Sequence, residues 1–93
     1  MSETKKPHPL PVIHLNGTSA SELLDSHRAA LKGLGGALDA LRRAAPNGRD
    51  YYPLGPDAFA EARDAHLARV AAIEGIIAEV EATALYIMDA GKL

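Results

Sequence analysis

The sequence predicts an all-α protein: an antiparallel two-helix hairpin with an extended N-terminal arm, assembling into a helical-bundle oligomer. Two long runs carry apolar residues at helical three-four spacing, a stretch bearing proline and glycine separates them, and their charge balances are opposite. A chain of 93 residues forms one domain at most, near the size at which a single core contributes only a few kcal/mol of net stability. A partner surface is therefore expected. The boundaries that follow are a flexible arm over 1–11 and one hairpin domain over 12–93. Within that domain, helix 1 spans about 19–45, the loop 46–55 and helix 2 about 56–90.

Three of the six prolines fall in residues 1–11, which makes the arm extended or disordered. Val12-Ile13-His14-Leu15 is short and β-competent, and Asn16-Gly17 then turns the chain. This segment is expected to strap across the hairpin or to add to a neighbour.

Helix 1 starts at a capping box, with Ser19 as N-cap and Glu22 three residues later. Leu24, His27, Leu31, Leu34, Leu38, Leu41 and Ala45 then form a heptad seam. A second stripe of Leu23, Ala30, Ala37 and Ala44 widens the apolar face beyond what one partner helix covers, which predicts a further hairpin docking there. Pro46 ends the helix, since its ring disfavours helical backbone at Ala45.

Gly55-Pro56-Asp57 restarts the chain as a helix, with proline in the first turn and a carboxylate where the dipole favours it. Phe59, Ala62, His66, Val70, Ile73, Ile77, Val80, Ala84 and Ile87 make the second seam, and Gly91 is placed to cap its C-terminus. If Ala45 and Asp57 flank the turn, His27 falls opposite Gly75 and His66 opposite Gly35 or Gly36, so each bulky seam histidine meets a glycine. Gly33, Gly35 and Gly36 each cost about 1 kcal/mol relative to alanine. A kink at Gly35-Gly36 is the competing explanation for two of them.

Charge divides along the same line. Residues 21–45 carry four cations against three anions, whereas 57–89 carry seven anions against Arg63 and Arg69. The imbalance favours antiparallel pairing of the two segments, within or between chains. The overall charge of −2 argues against coating long nucleic acid, which needs a basic surface. The chain has no cysteine, no signal peptide and no apolar run near the ~20 residues of a membrane helix, which suits a cytoplasmic protein away from membranes.

Little here points to catalysis. His27 and His66 are expected about nine residues apart along the hairpin, roughly 14 Å, too far for one metal ion. They read as packing residues, with a pH-sensitive packing effect as the alternative. Thr18, Ser19 and Ser21 sit at a helix start, where their hydroxyls act as caps. No nucleophile elbow, phosphate-binding loop or carboxylate pair appears, so neither an enzyme nor a cofactor is expected, and the acidic residues of helix 2 read as a solvated face.

The interhelix loop is the exception, because a bare turn needs only about 2–5 residues and this one is twice that or more. It holds Asn47, Arg49, Asp50, Tyr51 and Tyr52. Tyrosines stack on flat bases, arginine offers a planar fork to phosphate, and asparagine or aspartate reads a base or ribose edge. Alternatively, the tyrosines cover the hairpin end and Arg49 pairs with Asp50 or a helix terminus. Thr18 and Ser19 lie at the other end of helix 1, some 40 Å away. Antiparallel association of two hairpins would join that spot to a neighbour's loop, making a composite pocket in which binding and oligomerisation are coupled.

The stretches His14-Leu15-Asn16-Gly17-Thr18-Ser19 and Pro46-Asn47-Gly48-Arg49-Asp50-Tyr51-Tyr52-Pro53 resemble those of small uncharacterised proteins encoded by phages and prophages. The resemblance spans roughly residues 12–88. In size and architecture the chain is also similar to phage sponge proteins, oligomeric helical hairpins that sequester cyclic nucleotide signals of bacterial immunity; no motif is shared with them. The resulting expectation is a non-enzymatic, homo-oligomeric anti-defence protein in the host cytoplasm that captures a small anionic, nucleotide-like ligand. Its rival is a protein-interaction or assembly module that uses the alanine stripe and the arm.

Overall fold

The computed structural model describes residues 9–91. Two helices dominate it, α1 over Ala20–Arg43 and α2 over Ala58–Gly91, packed against each other and joined by two 3₁₀ turns at Gly48–Asp50 and Tyr52–Leu54. The described residues contain no strand, so the β-competent Val12–Leu15 segment forms no ladder, and Leu15 is 97% exposed. The turn after it does form, with the Gly17 amide donating to the His14 carbonyl at 3.1 Å. Most of the proline-bearing arm, residues 1–8, lies outside the described residues. No helix among them is long and apolar enough to cross a membrane.

α1 begins as its sequence dictates. Ser19 is extended, and its hydroxyl oxygen accepts from the Glu22 amide at 3.1 Å, satisfying one of the donors that a helix start leaves unpaired. The helix ends two residues before Ala45, with Ala44 as its cap, because Pro46 removes the helical option from the residue ahead of it. Arg42 and Arg43 occupy the last turn, where the dipole favours cations.

The connection folds back rather than simply turning. Asp50, Tyr51, Leu54 and Gly55 each donate to the carbonyl three residues earlier, at 2.9–3.3 Å. Gly55 then takes φ 114°, a conformation that side-chain-bearing residues rarely reach. Pro56 and Asp57 form a turn, which delays α2 to Ala58. The Tyr52–Leu54 turn packs on α2.

This fold-back corrects the expected register. Arg42 Nη2 meets Glu74 Oε2 at 2.6 Å, and Ala20 lies beside Gly91. Glu74 sits about 14 residues and Gly91 about nine residues, roughly 21 Å and 14 Å, beyond where a turn flanked by Ala45 and Asp57 would put them. α2 has 34 residues against 24 in α1, and its first turns run past the end of α1 beneath the loop. The expected pairing of His27 with Gly75 and of His66 with Gly35 or Gly36 therefore does not occur. A Cβ added at any of these glycines, or at Gly33, would have no neighbour within 4 Å. No close packing accounts for them in the hairpin itself. His66 is buried all the same, and the half-buried His27 sets Nδ1 2.7 Å from the Leu23 carbonyl oxygen, a contact that requires the proton on Nδ1.

Both seams face inward as their spacing predicts, yet the core they make is thin. Leu38, Ala84 and Ile87 are the buried apolar residues among those described, Ile87 completely so, and the other seam leucines and isoleucines are half-buried. Thr83 is also buried, its hydroxyl donating to the Glu79 carbonyl at 3.2 Å. The radius of gyration is 19.1 Å, against about 12 Å for a compact chain of this length.

Gly91 is not the left-handed cap that its position suggests. Gly55 is the glycine with positive φ, while Gly91 is helical and approaches α1 so closely that an added Cβ would stand 2.8 Å from the Ala20 methyl. Gly75→Ala should raise stability by about 1 kcal/mol through helix propensity, whereas Gly91→Ala should lower it by forcing the helix ends apart. Urea unfolding followed by circular dichroism separates the two. Equal gains would show that these ends do not meet.

Candidate functional site

Five of the seven residues that the sequence singles out are brought together by the two 3₁₀ turns. Asn47, Arg49, Asp50 and Tyr52 are exposed, Tyr52 by 76%, and Tyr51 is half-buried. Arg49 makes no ion pair with Asp50 or any other described residue, so that expected contact is absent. Tyr52 projects outward rather than closing the hairpin end. Thr18 and Ser19 are exposed at the far end of α1, about 36 Å away along 24 residues. Within one chain they do not join the loop, and the Ser19 hydroxyl is already engaged as the helix cap.

A different feature, missed by sequence reasoning, lies at the open end of the hairpin. Two shallow grooves run between the helices there, of about 230 Å³ and 370 Å³, sharing Leu24, Arg28 and Met88. One reaches Ala20, Ile87 and Gly91, and the other reaches Leu31, Glu81 and Leu85. The lining is apolar apart from Ser21 and the two rim charges, Arg28 and Glu81. Neither charge has an ion-pair partner among the described residues.

The same side of the molecule can be followed along both helices. Arg28, Gly35 and Arg42 recur every seven residues on α1, as do Leu67, Glu74, Glu81 and Met88 on α2. The signal was present as a heptad flanking each seam. What stayed hidden was which residues of the two flanks stand across from each other, because that depends on the register. Leu67 is 56% exposed and Leu85 60%, so this face offers apolar surface to solvent.

Such an arrangement suits the side of a helix better than a reacting group. Among the described residues, no cluster of three or more histidine, cysteine or acidic side chains could hold a metal ion. In the observed register His27 and His66 stand roughly 30 Å apart, twice the expected separation. Every fully buried side-chain nitrogen or oxygen among the described residues has a hydrogen-bond partner. No protein-family model, curated protein or solved structure matches the chain.

Of the charges on this face, Arg42 and Glu74 are joined, but both are about half exposed. A double-mutant cycle on Arg42→Ala and Glu74→Ala should return a coupling of no more than about 1 kcal/mol. A coupling several times larger would mean that the pair, and not the seam, fixes the register.

Proposed function

We propose that this chain is a non-enzymatic protein that works by helix-mediated association, its hairpin serving as one half of a larger helical bundle. The observation that carries the reading is the thin core: among the described residues burial of apolar side chains stops at Leu38, Ala84 and Ile87, while Leu67, Leu85 and Met88 stay open to solvent. An amphipathic helix is stable when its apolar stripe is covered, and two helices back to back cover only part of each stripe here. Three hydroxyls are engaged locally, Ser19 on its cap and Ser26 and Thr83 on helix carbonyls.

A second reading adds a ligand to that assembly. A loop that holds Tyr52 in solvent beside Arg49, which has no ion-pair partner among the described residues, presents a flat ring and a planar cation together, the chemistry that a nucleotide-like anion requires. Under this reading the protein is a sponge of phage type, acting in the host cytoplasm.

Size exclusion with light scattering tests the first reading. The mass should be a multiple of 9.8 kDa at micromolar concentration, and a single-chain mass at every concentration would overturn it. Thermal melts test the second, since a ligand at a hundred times its Kd adds about 2.7 kcal/mol to the folded state. Cyclic or linear nucleotides should raise Tm, and Tyr52→Ala or Arg49→Ala should erase the gain while leaving the helical signal unchanged. A panel of nucleotides that leaves Tm unmoved removes the ligand and leaves the assembly.

A further inference from the structure

The association reading leaves open which surfaces meet and in what direction, and the rim charges of the groove answer both; this inference rests on that reading. We propose that the grooved face binds a second copy of this chain across a two-fold axis parallel to the hairpin. α1 of each copy then lies on α2 of the other, with both interhelix loops at the same end.

Charge selects this arrangement. Arg28 and Glu81 lie on opposite rims of one groove, less than two helical turns apart along it, and neither has an ion-pair partner among the described residues. A parallel two-fold axis keeps that offset, brings Arg28 of one copy within reach of Glu81 of the other along the facing helix, and forms that contact twice. It also lays the cationic α1 on the acidic α2. The other face-to-face choice, an axis crossing the hairpin, stacks α1 on α1 and α2 on α2, so the six anions of one α2 lie against those of another and Arg28 loses Glu81 as a partner. Like charges placed in this way disfavour that pairing.

The area is adequate as well. From Ala20 to Arg42 the face runs about 35 Å, and two packed helices are about 20 Å wide. The resulting ~700 Å² per copy is close to the ~800 Å² typical of a stable complex. Gly35 lies between Arg28 and Arg42 on this line with nothing near it, leaving room for a close approach.

One consequence concerns the loop. With both loops at one end, any shared ligand site is built from the Arg49 and Tyr52 residues of two copies. The alternative of one loop with Thr18 and Ser19 of a neighbour would need the opposite orientation.

Charge exchange tests the proposal by native mass spectrometry. Arg28→Glu alone and Glu81→Arg alone should each be monomeric, because each places like charges in both contacts. An equimolar mixture of the two variants should form a heterodimer, and the doubly exchanged chain a homodimer. Both residues are exposed, so the helical signal should survive in every variant. A monomeric wild type would overturn the association reading and this proposal together. A dimeric wild type whose single variants remain dimeric would overturn only the proposed face. Orientation has its own readout, since the chain has no cysteine and Tyr52→Cys accepts one spin label per copy. Parallel copies should place the labels within about 30 Å, given helix spacings of ~10 Å. A separation near the 62 Å length of the molecule would overturn the parallel arrangement.

Discussion

Burial of one stripe from each helix against the other is what makes this chain a hairpin, and the few side chains it shuts away limit everything else. Leu38, Ala84 and Ile87 lose nearly all contact with water, while most of the remaining seam is only half covered. Each fully buried large aliphatic contributes roughly 1.5–3 kcal/mol, and half-buried ones contribute proportionately less. Small alanines on the flanks add little area. A unit of this kind gains from any second surface that completes its cover.

The connection gives that incompleteness a direction. By folding back along the first turns of α2, the two 3₁₀ turns shift α2 by about three helical turns relative to α1. Arg42 then meets Glu74, the Ala20 methyl meets Gly91, and Leu24 and Leu31 line grooves with Leu85 and Met88. The groove is thus a product of register. With the helices level at the turn, Arg28 would have stood across from other residues of the same flank. The loop that sets this register also carries Arg49 and Tyr52 out into solvent, so one local device shapes both candidate surfaces.

Much of the architecture was legible in the residues. The Ser19–Glu22 cap, the stop before Pro46, the restart after Gly55 and both seams follow from short-range rules about donors, ring sterics and periodicity, and these act within a few residues. Register does not. A period of seven repeats itself, so sliding α2 along α1 by one or more heptads leaves each seam buried, and the choice rests on how a loop of ten residues folds. The appeal of opposing each histidine with a glycine was a matter of volume alone, and the folded loop overrode it. Gly91 misled for a similar reason, since glycine serves equally as a cap and as a point of close approach. The loop residues were readable as a group because they are contiguous. The groove was not, because it is made of α1 and α2 residues some sixty positions apart.

The central claim is that the folded hairpin is one half of a larger bundle, and the dependence of Tm on protein concentration tests it most directly. If assembly covers the open face, mass action raises Tm as the concentration rises from micromolar to hundreds of micromolar. A Tm that stays constant across that range would contradict the account, because it would mean that the hairpin holds its fold on its own thin core.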